Sequence, residues 1–192
     1  MKTTTREHIL SCGSKIIHLK GYSATGIKEI LDAAEVPKGS FYFYFKSKED
    51  FCLALVAHYR EMIFKGMEEA FGEKEVPPLE RLHNFFVRVH EIHEATGYKR
   101  GCPIGNLSQE IGATHPTVGK DLEAVLGGMA SRIAAVLEEA EERGELPPRL
   151  KPDETAAFIL SAWQGAFVQM KALAGPAPLE NFMSMVFDVL LV

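Results

Sequence analysis

Residues 25–50 constrain the chain more than any other stretch: Thr-Gly-Ile-Lys-Glu-Ile-Leu-Asp-Ala-Ala-Glu-Val-Pro-Lys-Gly-Ser-Phe-Tyr-Phe-Tyr-Phe-Lys-Ser-Lys-Glu-Asp. Pro37 pushes Val36 out of helical dihedrals, so one apolar-periodic segment ends there and another begins at once. The spacing predicts two short helices joined by a tight turn. Ile27, Ile30, Leu31 and Ala34 form the inner side of the first. The second, Lys38 to Tyr44, is too short to persist without packing on its neighbours, and Phe41 and Phe45 are spaced to point inward. Its outer side carries hydroxyls, phenols and lysines. A short helix with that surface has the size and chemistry to enter a DNA major groove.

Helical periodicity governs the rest, and no stretch alternates with period two for long. A first helix is expected from Thr4 or Thr5 to Lys20, with Ile9, Cys12, Ile16, Ile17 and Leu19 as its apolar face. Gly21 ends it in a position that tolerates a left-handed backbone, and Thr25 caps the next helix. Ser47 caps a fourth helix running to about Phe71, with Glu49 and Asp50 in the first turn where the helix dipole favours them. Further helices are expected over Leu79–Thr96, Pro103–Ile111, Pro116–Gly144, Pro152–Ala174 and Pro178–Leu191. The last two are apolar on more than one side, through Phe158, Ile159, Trp163, Phe167, Met170, Phe182, Met185, Val186, Val189 and Leu190, and so require a partner surface. The expected architecture is all-α with about nine helices. A three-helix helix-turn-helix domain over residues 1–47 precedes a helical body over residues 48–192.

The 192 residues are 46% hydrophobic, enough to bury a proper core. The net charge of −5 looks unsuited to a nucleic-acid binder, but it is unevenly spread. Residues 1–50 hold eight Lys/Arg against six Asp/Glu, a net of +2, and the remainder thirteen against twenty, a net of −7. A small basic head on an acidic body discourages non-specific adhesion to phosphate. No run of about 20 apolar residues is present, so no membrane span is expected. The start, Met1-Lys2-Thr3-Thr4-Thr5-Arg6-Glu7-His8, lacks the apolar stretch of a secretory signal. Cys12, Cys52 and Cys102 are odd in number and widely spaced, unlike a disulfide framework, and point to a reducing cytoplasm.

The segment from Thr25 to Asp50 resembles the DNA-binding domain of the TetR family of bacterial transcriptional repressors. The resemblance rests on the Gly21-Tyr22 break, Ile27-x-x-Ile30, Val36-Pro37-Lys38-Gly39-Ser40, Phe41-Tyr42-x-Tyr44-Phe45 and Lys46-Ser47-Lys48-Glu49. Glu35 departs from it, standing where the family commonly has glycine. The resemblance implies a homodimer on a palindromic double-stranded operator. It also implies a C-terminal body with an inducer pocket, dimerising through its last two helices. Carried over by position, the DNA-facing set is Thr25, Lys28, Lys38, Gly39, Ser40, Tyr42, Tyr44 and Lys48. The chemistry agrees. Thr25 and Lys48 stand near helix N-termini, where backbone amides favour phosphate. Gly39 permits close backbone approach, Ser40 gives or accepts a hydrogen bond at base edges, and Tyr42 and Tyr44 join ring contact to a phenol. Lys28 and Lys38 suit guanine edges or the backbone. The plainer alternative is that the tyrosines pack and the lysines form a solvated face.

Lys99-Arg100-Gly101-Cys102-Pro103-Ile104-Gly105-Asn106 is the second informative stretch. A helix start and two preceding cations are features that favour a cysteine's thiolate, whose free pKa is about 8.5. The segment is similar to TetR-type members whose cysteine here senses electrophiles or oxidants, which makes Cys102 a sensor candidate. The plainer reading is a small, semi-buried residue. Cys12 and Cys52 fall on apolar faces and are expected in the core. His83, His90 and His93 share a helix without the further ligands a metal needs, so neither metal nor cofactor is called for. Candidate lining for an apolar or aromatic inducer is Met62, Phe86, His90, Cys102, Ile104, Met129, Ile133, Trp163 and Phe167, although such a stripe is more often core. An enzyme using Cys102 with His90 or His93 as base is disfavoured, because no third orienting group is evident. A helical interaction module without DNA binding is disfavoured by the intact Lys38–Lys48 pattern.

Overall fold

A computed structural model describes residues 4–192, and among them no strand occurs. The helices are α1 (Thr5–Lys20), α2 (Ile27–Ala33), α3 (Lys38–Tyr44), α4 (Lys48–Phe71), α5 (Pro78–Ala95), α6 (Pro103–Ile111), α7 (Pro116–Glu142), α8 (Pro152–Leu173) and α9 (Ala177–Ser184). A π-helical turn over Met185–Leu190 completes the series. The all-α expectation and the order of helices hold. The final helix differs: instead of running regularly to Leu191, it widens after Ser184, and the Leu191 amide reaches back five residues to the Val186 carbonyl at 3.0 Å.

The helices gather into two compact units that follow no single cut in the chain. One runs to Glu61 and takes in Pro103–Ala124; the other is Met62–Cys102 with Val125–Val192. The division expected after residue 47 marks the start of α4, which itself belongs to both units, as does α7.

In the first unit, α1 opens with a capping box. The Thr4 hydroxyl accepts from the Glu7 amide at 3.3 Å, and the Glu7 carboxylate accepts from the Thr4 amide at 2.8 Å. Ile9, Leu10, Gly13 and Ile17 make its buried stripe. Leu19, expected on that stripe, is exposed because it lies two residues, about 200°, beyond Ile17. A methyl group on Gly13 would come within 2.5 Å of the Phe51 ring, so α1 and α4 approach as only glycine allows. Cys52 is fully buried and its thiol is pushed up to about 12 by that burial, an inert core residue as expected. Cys12 is only half-buried, with its sulfur 3.6 Å from the Ala33 carbonyl.

Gly21 ends α1 with a positive φ, at φ 90 and ψ 162, a conformation other residues rarely adopt. One local expectation is corrected. Thr25 does not cap α2; that position falls to Gly26, with no side-chain bond. The Thr25 hydroxyl instead donates to the Gly21 carbonyl at 2.7 Å. Glu35 takes φ 54, a conformation glycine adopts without penalty and other residues at about 1–2 kcal/mol.

In the second unit, an aromatic cluster fills the centre. Phe86 meets Trp163 and Phe182 at centroid distances of 4.8 and 5.0 Å, and Trp163 meets Phe167 at 4.7 Å. Arg81 is buried, pairing with Glu139 and donating to the Phe71 carbonyl. Hydrogen bonds from Arg81 and Lys74 hold the Glu139 carboxyl down to about 2. No helix among the described residues is long and apolar enough to cross a membrane.

Candidate nucleic-acid interface

The surface of α3 follows from its burial pattern. Phe41 and Phe45 are sealed in the first unit's core, with ring centroids 5.7 and 5.0 Å from Phe51. Those contacts hold a helix of only seven residues that could not stand alone. The residues between and before them are more exposed. Lys38, Gly39 and Tyr42 are exposed, Tyr42 by 53%, while Ser40 and Tyr44 are half-exposed. Lys28 on α2 is exposed as well. A Cβ at Gly39 would meet nothing within 4 Å, and Gly39 is absent from the positive-φ glycines. Neither internal packing nor backbone conformation therefore requires glycine there.

Two members of the expected set have internal partners. Thr25 is fully buried, its hydroxyl bound as described. The Lys48 ammonium donates to the Tyr22 carbonyl at 2.6 Å and lies 4.3 Å from the Tyr22 ring centroid. Burial lowers its pKa, against which the Glu110 carboxylate acts in the opposite direction. Lys48 thus fixes the loop between α1 and α2, with part of its side chain still at the surface.

The same loop is gripped by a residue that sequence reading did not single out. Glu110, in the last turn of α6, accepts from the Tyr22 amide at 2.8 Å and from the Ser23 amide at 2.7 Å. A side chain on Gly21 would collide with this carboxylate at 2.9 Å, a second reason for glycine there. The Tyr22 ring stands edge-on to His115 at 5.7 Å. Burial alone would raise the Glu110 carboxyl, but the two amides and Lys48 outweigh it and hold it below the ordinary 4.5. A group so lowered stabilises the fold fully above 4.5, and the stabilisation is lost as pH falls through the depressed value. Glu110→Gln should speed hydrogen exchange at the Tyr22 and Ser23 amides by about tenfold at neutral pH, equivalent to about 1.4 kcal/mol. Unchanged exchange would show that the loop holds without this carboxylate.

The residues expected to line an inducer pocket differ in burial. Phe86, Trp163 and Phe167 are buried and brought together, Phe86 and Phe167 each meeting the Trp163 ring. Met129 and Ile133 are buried on α7, Ile104 is buried on α6, His90 is half-buried, and Met62 is exposed. Cys102 is 6% exposed, directly before α6 and directly after Gly101, whose φ is 71. His93 is buried, its Nδ1 2.7 Å from the Val89 carbonyl and its ring 4.6 Å from Phe167. A cleft of about 430 Å³ in the second unit is lined by none of the expected residues; Phe158, Ala162, Phe182, Met185 and Val189 border it.

Residues 9–55 match the family described as bacterial regulatory proteins, tetR family. Residues 78–186 match the tetracyclin repressor-like C-terminal domain. The chain is 38% identical to the transcriptional regulator AcuR of Cereibacter sphaeroides over 92% of its own length and 80% of that protein's. It is 32% identical to the HTH-type transcriptional repressor DhaR of Mycobacterium sp. strain GP1, over 99% of this chain and 94% of that one. Among solved structures, a regulatory protein TetR from Rhodobacter sphaeroides superposes with a TM-score of 0.93 at 36% identity, covering 99% of this chain and 100% of the other.

Proposed function

The chain belongs to the TetR family of bacterial regulators, and on that premise we propose that it is a repressor that grips a palindromic operator as a homodimer through α3 and lets go when its C-terminal body is modified or occupied. It is a DNA-binding transcriptional regulator with a ligand-binding C-terminal domain. The observation that carries the finer reading is the outer face of α3. Lys38, Gly39 and Tyr42 are exposed on a helix whose Phe41 and Phe45 are sealed in the core, with Ser40 and Tyr44 half-exposed beside them. Lys28, exposed on α2, adds a second cation to the proposed contact set. Lys48 and Glu110 hold the preceding loop, which favours a fixed approach angle for α2.

A phosphate-reading surface loses affinity as counterions compete, with a log–log slope of about 0.9 per phosphate contact. Duplex recovered with the protein from cells should therefore bind progressively more weakly as salt rises. A flat salt dependence would remove the phosphate contacts from this account.

Homodimerisation is proposed through α8, α9 and the π-helical turn. Phe158, Met185 and Val189 are more than half exposed around the apolar cleft, an arrangement that water disfavours until a partner covers it. Two heads on such a dimer would read half-sites about 34 Å apart, or a multiple of that. The inducer is proposed as a small apolar or aromatic molecule taken up beside the Phe86, Trp163 and Phe167 cluster. It must bind the released state more tightly than the DNA-competent one, since equal affinity shifts nothing.

Cys102 is proposed as a second input, sensitive to electrophiles or oxidants. Its burial favours small, uncharged reagents, and its position one residue before α6 puts modification at the head of the helix that ends near Glu110. N-Ethylmaleimide should release the operator from the wild-type protein and not from Cys102→Ser. Equal release from both would assign the response elsewhere.

A further inference from the structure

Phe43 is the most exposed large hydrophobic side chain among the described residues, at 80%. It occupies the one place in Phe41-Tyr42-x-Tyr44-Phe45 that the family pattern leaves open. At 100° per residue it lies about 200° from both Phe41 and Phe45, so it projects directly away from the core that those two residues enter. Its ring stands edge-on to Tyr44 with centroids 4.8 Å apart and an interplanar angle of 89°. The neighbour therefore limits the ring's freedom without covering it.

Gly39 lies one turn earlier on the same stripe of α3. Helical side chains lean toward the N-terminus and cover the turn before their own Cα. At Gly39 no side chain occupies that turn, and a Cβ there would meet nothing within 4 Å. The stripe thus carries an exposed phenyl ring one turn from bare backbone, flanked by the exposed Lys38 and Tyr42.

A phenyl ring offers no hydrogen bond. Against the edges of guanine, cytosine or adenine in the major groove it would strip water from donors and acceptors and return nothing. Thymine alone presents an apolar group there, its C5-methyl. We propose that Phe43 is a specificity-determining residue that reads a thymine methyl in each half of the operator. The proposal rests on the reading that α3 enters the major groove, and it names what one side chain of that helix recognises.

The test uses deoxyuridine, which differs from thymidine only by that methyl. An operator is first recovered by selection from a pool of random duplexes with the full-length protein. Each thymine is then replaced by deoxyuridine, singly and in symmetric pairs, and the duplexes compete against the parent for wild-type protein and Phe43→Ala. Burial of one methyl is equivalent to about a fourfold change in affinity. At one symmetric position, wild-type protein should bind about fourfold more weakly per substituted half-site, and Phe43→Ala should bind thymine and uracil duplexes equally. Thermal unfolding of Phe43→Ala should match wild type, because the ring is outside the core.

The proposal is overturned if no uracil substitution weakens wild-type binding, or if Phe43→Ala keeps the same penalty at the same position. Gly39→Ala and Tyr42→Ala separate this failure from that of the underlying reading. If both weaken operator binding while uracil has no effect, α3 reads DNA and Phe43 does not read thymine. If neither weakens it, or if selection recovers no operator, α3 is not the reading helix and the proposal falls with it.

Discussion

Gly39→Ala should make the protein slightly more stable and its operator complex about ten- to hundredfold weaker. The two effects have opposite signs because they have different origins. Alanine is favoured over glycine in a helix by up to about 1 kcal/mol, less near an end, and the added methyl at Gly39 meets no atom of the protein within 4 Å. Against a duplex, however, that methyl stands between the backbone of α3 and the base edges. Each tenfold loss corresponds to about 1.4 kcal/mol, a plausible cost for holding a helix a fraction of an ångström out of its groove. Thermal unfolding and competition binding measured on the same sample check both signs. A variant that is destabilised would mean that glycine is required by the fold. One that binds normally would mean that nothing approaches this face closely.

Phe158→Glu combined with Val189→Glu should give a folded monomer with operator affinity reduced by at least about a hundredfold. Both side chains border the apolar cleft formed with α8, α9 and the π-helical turn, and both are more than half exposed. Charges there leave the interior untouched and prevent two apolar faces from closing on each other. Linking two reading heads raises avidity by about 10²–10⁴ over one head without any new contact, and the monomer forfeits that gain. Light scattering gives the mass, and helical circular dichroism confirms the fold. A variant that remains dimeric would place the subunit interface on another surface.

Helix α3 was legible in sequence because several local rules agree over a few residues. Pro37 fixes where α3 begins, Phe41 and Phe45 fix which side is buried, and Ser47 caps α4, accepting from the Asp50 amide at 3.0 Å. What escaped is what depends on distant partners. Glu110 grips amides 87 and 88 residues away, and no periodicity marks it among the other exposed carboxylates. Thr25 has the composition of a helix cap, yet its hydroxyl donates to the Gly21 carbonyl and no side chain caps α2. The aromatic residues on α5 and α8 carry the same spacing whether they line a cavity or close-pack. Here Phe86, Trp163 and Phe167 are buried with their rings in mutual contact. The widened turn over Met185–Leu190 is too short to alter an apolar pattern that already covers more than one side of its helix.

The most direct measurement is selection from a fully random duplex pool with purified protein, followed by sequencing of what is retained. The account predicts a two-fold symmetric motif whose half-sites are separated by about one helical turn or a multiple of it. It also predicts that Gly39→Ala and Tyr42→Ala protein will enrich that motif far less. Retention of duplexes with no shared motif, or the same enrichment by those variants, would contradict the assignment of α3 as the element that reads DNA.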